Sequence, residues 1–322
     1  MKITSLPDNF APVDGRLLYF IDFEGKRDSA DVEILDADDN SVVAICRFAE
    51  TTGAVIDAAP YVRKMFAPEP LDKGTGVFAD KGRTVHIRIR IDNTLSPVRS
   101  FTMYAVDGLA RFITFMPSQR TIAYGESVEL PFLAPTGGKI TLTVEDAGGS
   151  ETQRNYVVPA SPEVGIFAVR PDDFPLTAVR FTVTLEAAHR SDEAVFTIAR
   201  RMPESCRVAW VATSGATEYY TFPTRRTTRI NVDKGRYYSC TEGYRTVSVE
   251  GETITELVSD YEPAAMIDSL EEILASPFVW IVDADGATPV DVVTDSTVRL
   301  HNGSLNTVSI GIRTKKEREE QL

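Results

Sequence analysis

The sequence predicts a mainly β protein, built as two tandem β-sandwiches and a small α+β module with one helix. Three observations predict it. Short runs alternate apolar and polar residues with period two, as in Val85, Ile87, Ile89 and Ile91 against His86, Arg88 and Arg90. The order of such runs repeats along the chain. A single stretch near the end has helical spacing.

The repeat appears when Asp14 to Val62 is laid over Ser127 to Phe174. In the first copy the strand-like runs are Leu17 to Phe23, Asp31 to Leu35, Val42 to Phe48, Val55 to Met65, Val85 to Ile91 and Arg99 to Val106. In the second they are Val128 to Leu133, Lys139 to Val144, Gln153 to Val158, Val164 to Val169, Val179 to Leu185 and Ala194 to Ile198. Val32 falls on Ile140 and Ile56 on Ile166, an offset of 108 to 110 residues. Turn clusters at Asp36-Ala37-Asp38-Asp39-Asn40 and Asp146-Ala147-Gly148-Gly149-Ser150 read as hairpin connections. Roughly 100 residues with six or seven short strands predicts a sandwich of immunoglobulin or fibronectin layout. Module one is expected over 1–108 and module two, its internal repeat, over 109–202.

The remaining residues, 203–322, depart from this layout. Arg207 to Ala212, Glu218 to Phe222, Thr227 to Val232 and Tyr244 to Val249 read as strands. Pro263 to Ala275 spaces Ala265, Met266, Leu270, Ile273 and Leu274 for a helix, with Pro277 beyond its end. A hairpin follows, Phe278 to Val282 and Pro289 to Val293 around Asp283-Ala284-Asp285-Gly286, and Leu305 to Arg313 closes the module. The mixed-charge tail from Lys315 to Glu320 reads as a solvated terminus.

Charge narrows the function. The chain carries 47 acidic and 34 basic residues, a net −13, and each of the three segments is acidic. Clustered Lys and Arg are what a phosphate backbone rewards, so neither nucleic acid nor a membrane surface is an expected partner. The densest basic group is Arg225, Arg226 and Arg229. Cys46, Cys206 and Cys240 are too few and too scattered for a disulfide framework or a metal knuckle, which suits a reducing compartment. Residues 1–8 lack the apolar run of a secretory signal, so the expectation is a cytoplasmic product.

Catalytic and cofactor motifs are missing from the sequence, and no cofactor or metal is expected. His86 lies on the polar side of its strand, and His189 and His301 lie beside turns. Gly74-Thr75-Gly76 lacks the following helix that a phosphate loop needs. Asp36, Asp38 and Asn40 resemble the start of a calcium loop, but Ser41 stands where glycine is required and Arg47 where the last carboxylate should be. The remaining feature is aromatic. Trp210, Tyr219, Tyr220, Phe222 and Trp280 are candidates for an interface or for the core, with Tyr220 and Phe222 expected on one strand face and Tyr219 on the other.

Two segments carry a resemblance. Trp210-Val211-Ala212-Thr213-Ser214-Gly215-Ala216-Thr217-Glu218-Tyr219-Tyr220-Thr221-Phe222 resembles a Trp, turn glycine, acidic, Tyr-Thr-Phe motif of structural proteins in phages and prophages of Bacteroidetes. Leu270 to Trp280 followed by Pro289-Val290-Asp291-Val292 resembles the helix, Ser-Pro-aromatic and Pro-Val hairpin that ends many of them. This chain has Val211-Ala212 where that motif has Leu-Asn, and Glu218 where it has Asp. The resemblance covers 203–322. It implies a non-enzymatic virion component of tail, baseplate or connector, assembled in the host cytoplasm with copies of itself and other tail proteins. A surface glycan-binding or adhesin module is the alternative expectation.

Overall fold

The computed structural model describes residues 2–71, 73–80, 82–105, 111–200, 202–297 and 305–315. Strand dominates, and two short α-helices interrupt it among the described residues. Neither helix is long and apolar enough to cross a membrane.

The first region is one continuous sheet. It contains β1 (Lys2–Ser5), β2 (Ala11–Pro12), β3 (Leu18–Asp36), β4 (Val42–Asp57), β6 (Thr84–Ile91), β7 (Thr94–Leu95) and β8 (Arg99–Thr102). The two runs expected at Leu17 to Phe23 and Asp31 to Leu35 are a single 19-residue strand. Gly25, Asp28 and Ser29 lie between them but do not end the strand. Glu24 and Gly25 instead form a register shift between Asp22 and Arg27, which bends the strand without ending it. Likewise Val42 to Phe48 continues into Val55 as β4, which stops at Asp57, short of Met65. There Asp57 Oδ1 accepts the amides of Leu17 and Ala59, and α1 (Ala59–Val62) begins with Pro60 in its first turn. The expected strand from Arg99 ends at Thr102, and 106–110 lie outside the described residues.

The second region is two sheets facing each other. One holds β9 (Gln119–Ala123), β11 (Gly138–Asp146), β12 (Glu151–Val158), β14 (Ala178–Ala187) and β15 (Arg190–Ala199), in the order β12-β11-β14-β15-β9. The other holds β10 (Val128–Phe132), β13 (Gly165–Val169) and β5 (Gly76–Ala79). Leu130, Phe132, Phe167 and Val169 from the smaller sheet share one core with Ile140, Leu142, Phe181, Val183 and Phe196 from the larger. His189 closes the β14–β15 turn, where it and Ala188 both have positive φ.

Most strand pairings of the two regions correspond, β1 on β3 and β7 on β6 being additions of the first. β10 with β13 matches the first half of β3 with the second half of β4, and β11 with β12 matches the opposite halves. β11–β14–β15 matches β3–β6–β8. Even the parallel contacts agree, β9 on β15 and β2 on β8. The difference lies in β5. It belongs by sequence to the first region, between α1 and β6, yet it pairs antiparallel with β13, Ile166 opposite Phe78. The Gly74-Thr75-Gly76 segment delivers it, with the Thr75 amide donating to Asp173 Oδ2 at 2.7 Å.

The third region is a seven-stranded sheet in the order β17-β16-β21-β22-β24-β19-β18. Its strands are β16 (Cys206–Val211), β17 (Thr217–Phe222), β18 (Thr224–Ser239), β19 (Gly243–Val258), β21 (Val279–Asp283), β22 (Gly286–Val292) and β24 (Ser309–Thr314). β20 (Glu262–Pro263) and β23 (Leu305–Asn306) pair beside it. α2 (Ala264–Ala275) follows the expected spacing and buries Met266, Ile267, Leu270 and Ile273 against this sheet. Its N-cap is Pro263, with no side-chain cap. Two expectations fall short here. The runs at Thr227 and Tyr244 are parts of 16-residue strands, which continue through the turn-type residues Asn231, Asp233, Gly235 and Gly251 because the two strands pair with each other along their length. The tail from 316 onward and His301 lie outside the described residues.

The β16–β17 turn seats the third region on the first. Ala105 donates its amide to the Ser214 carbonyl at 3.0 Å. Gly215 has φ +84°, and a Cβ there would stand 2.5 Å from the Met103 carbonyl oxygen. Both the left-handed backbone and the backbone contact exclude a side chain. Gly215→Ala is expected to lower unfolding free energy by on the order of 3 kcal/mol. Urea titration followed by tryptophan fluorescence measures it, and an unchanged midpoint would contradict this docking.

Candidate functional site: the buried junction and the β18–β19 arm

β16 is buried along its whole length and β17 nearly so, which means that both faces of this hairpin are covered. Alternation then sends its residues to two different cores. Trp210, Tyr220 and Phe222 join Leu270 and Ile273 of α2 on one side. Ala209, Val211 and Tyr219, with Trp280 of the neighbouring strand, join the core of the second region on the other. Tyr220 packs edge-on to Phe222 at 5.0 Å, and Trp280 stacks on Phe278 at 6.1 Å. All five candidate aromatics are therefore interior, Trp210 at 0% exposure and Tyr220 the most exposed at 9%. Of the two readings, interface or core, the structure places all five in the core of the single chain.

Thr217, Glu218 and Thr221 of β17 meet the buried arginines Arg83, Arg120 and Arg207 in turn. Arg83, from the first region, donates to Asp80 Oδ1 at 2.9 Å, to the Thr217 hydroxyl and to the Glu69 carbonyl. Its Nη2 lies 3.9 Å from Glu129 Oε2 of the second region. Glu129 Oε1 accepts the Leu71 amide at 2.6 Å and the Tyr219 hydroxyl. Arg120 donates to Glu218 Oε2 at 3.4 Å, to Thr114 Oγ1 at 2.9 Å and to the Pro117 carbonyl at 2.8 Å. Arg207 donates to Glu126 Oε2 and Thr221 Oγ1, both at 2.8 Å, and to the Ser127 carbonyl, with its guanidinium over the Tyr219 ring at 5.0 Å. These three arginines and their carboxylates are all buried.

Burial sets the proton affinities. Desolvation raises the Glu218 carboxyl to about 7, even though Arg120 and the Thr114 hydroxyl pull it down. Glu129 is raised by the same cause, with Arg83 and Tyr219 opposing. Burial also disfavours the Arg83 charge, but Tyr104, Glu129 and Asp80 outweigh it and hold the guanidinium protonated. Among the described residues no group of three His, Cys, Asp or Glu is placed to hold a metal. His86 bonds Ser100 through Nδ1 at 2.8 Å, and Asp36 and Asp39 bond the amides of Asp38 and Ser41 within their own turn. A cleft of about 460 Å³ opens beside Arg120 and Arg207, between β9 and β17, both arginines turned to internal carboxylates.

The opposite extreme is the β18–β19 hairpin. β19 pairs with β24 from Thr255 to Val258, and from Gly243 to Ile254 the strand that pairs with it among the described residues is β18. Twelve residues at strand rise project about 40 Å from the sheet. Ile230, Val232, Tyr237, Tyr238, Tyr244 and Val247 are exposed along it, and Tyr238 meets Tyr244 edge-on at 5.4 Å near the tip. Cys240 is exposed in the tip turn. An isolated two-stranded hairpin is marginal in water, and exposed apolar residues on it mark a contact surface.

No protein-family model and no curated protein matches the chain. Among solved structures it is similar to a chain in the crystal structure of Dpr2 Ig1-Ig2 in complex with DIP-Theta Ig1-Ig3. The identity is 9%, over 99% of this chain and 91% of that one, with a TM-score of 0.19. At that TM-score, the description of the fold rests on the strand pairings themselves.

Two outcomes follow from the junction. Arg83→Met leaves Asp80 and Glu129 buried without their counter-charge, and should cost about 3 to 5 kcal/mol in a denaturant titration. Glu218, with a folded pKa above its unfolded value, holds a proton in the native state that the unfolded chain has released. Its contribution is therefore greatest at acid pH and declines as pH rises from the ordinary carboxylate range to about 7, by at most about 1.4 kcal/mol per pH unit. Glu218→Gln should remove that slope. If the wild-type and Gln stability curves stay parallel between those limits, Glu218 is not titrating there.

Proposed function

We propose that this protein is a virion structural subunit of a phage or prophage, of the tail, baseplate or connector class, that acts by protein–protein assembly and not by catalysis. In this reading 1–108 and 109–202 are repeated immunoglobulin-like modules, and 203–322 is an α+β module that anchors them and carries the arm. The observation that carries it is the long arm, exposed on both faces and rooted in a junction whose charges are all internal. A rigid body with one unsupported projection suits a subunit that completes its structure on its neighbours. The motif residues from Trp210 to Phe222, which bear the resemblance to Bacteroidetes phage proteins, form the hairpin at that junction.

The aromatic motif that suggested the glycan-binding alternative, Trp210 to Phe222, is buried. Assembly is the better supported of the two readings.

The register suggests a clean test. Ile230 stands opposite Thr253, so joining them through an Asn-Gly turn removes the arm and preserves the sheet. Mass spectrometry of particles from cells carrying the intact gene should detect the chain. Particles from cells carrying the armless version should lack it, although the soluble protein retains the cooperative unfolding of the full chain. Absence of the intact chain from particles would refute the proposal.

A further inference from the structure

Two strands of this fold are long, exposed at an edge and of equal length. β4 and β18 each have 16 residues. Among the described residues β4 pairs only with β3, and β18 only with β19. They lie in the first and the last regions of the chain. Each therefore offers a row of unpaired backbone groups that a second strand can extend. Both rows are flanked by exposed apolar residues: Val42, Ile45 and Val55 on β4, Ile230 and Val232 on β18. β18 keeps one register from Thr227 to Gly235, which gives an uninterrupted template.

Charge distinguishes the two edges. By sequence β18 contains Arg225, Arg226, Arg229, Lys234 and Arg236 against the single acid Asp233, a net +4. Taking that +4 from the chain's −13 leaves −17 on everything else. β3 ends on Asp36 and the turn leading into β4 holds Asp38 and Asp39, with its Asn40 side chain bonded by Arg88. A basic edge on an acidic molecule has its complement on another copy of the same molecule.

We infer that β18 of one copy adds to the β4 edge of the next, so that the protein associates head to tail with itself. The inference rests on the assembly reading above and names its partner as a second copy. The contact is heterologous: the surface used on one copy differs from that used on its neighbour. Repetition then closes a ring or extends a filament.

Sedimentation or light scattering on the purified full chain tests this. At low salt, about 50 mM, the wild type should exceed its 35.5 kDa chain mass and should return to it near 500 mM as the charges are screened. A tail variant, Arg229→Ser with Lys234→Ser and Arg236→Ser, should be monomeric. So should a head variant, Asp36→Asn with Asp38→Asn and Asp39→Asn, in which the amide oxygens still accept the turn hydrogen bonds. Mixed one to one, the variants have one intact head and one intact tail between them. They should give a particle of twice the chain mass and nothing larger, which misfolded variants could not do. A wild type that stays monomeric at low salt, association that survives both triple substitutions, or a mixture that remains monomeric would each overturn the inference. A chain found in particles but monomeric in isolation would refute this contact and leave the virion proposal standing. A self-associating chain absent from particles would do the reverse.

Discussion

Three arginines withdrawn from water hold this molecule in one arrangement. Moving a guanidinium or carboxylate into a protein interior costs several kcal/mol, recovered only when opposite charges and hydrogen bonds meet it in good geometry. Arg83, Arg120 and Arg207 meet that condition through residues of one strand, β17, whose Thr217, Glu218, Tyr219 and Thr221 serve all three in turn. Apolar packing alone would tolerate small rotations of one region on another. Paired buried charges do not, because a displacement that lengthens one pair leaves a bare charge in the interior.

The strand β5 adds a second restraint of a different kind. It carries residues of the first region into a sheet of the second, where its ladder with β13 supplies backbone hydrogen bonds that the second region's own chain does not provide. Glu129 lies on β10, the other neighbour of β13, and accepts the Leu71 amide from the segment that leads to β5. The covalent link, the shared sheet and the buried ion pairs therefore converge within a few residues. The first two regions are joined as one body there, although the sequence reads as separate modules.

The strands of the second region were legible because turn residues separate them: all six expected runs, from Val128 to Ile198, coincide with observed strands, although β10 is buried throughout and β12 is mostly exposed. The first region was less so, since Glu24 and Gly25 bend β3 where the alternation predicted a break. The junction was harder to see. Arg83, Arg120 and Arg207 are of a residue type ordinarily solvated, and Arg120 finds Glu218 98 positions away. One signal was present in Cys206-Arg207-Val208-Ala209-Trp210-Val211, a lone charge in an otherwise apolar run, which implies a strand covered on both sides and a buried partner for the arginine. The two-faced placement of Tyr219 against Tyr220 and Phe222 followed from period two, but no local pattern could say that both faces are interior. The donated β5 left no trace either, since four residues have no partner within their own sequence neighbourhood.

The junction and the arm are related by leverage. The arm is rooted where β19 leaves β24, in the sheet that β16 and β17 fasten to the other two regions. Because the junction sets how that sheet sits on the β4 sheet, it also sets the direction in which β18 projects relative to β4. In a head-to-tail contact between those edges, the rotation from one copy to the next is the angle between the two edges within a single copy. A loosened ion pair at Arg83 or Arg120 would then change the closure of an assembly without touching either contact surface. The cost of burying three arginines is offset in stability by pairing, and what the pairing adds beyond stability is a fixed angle.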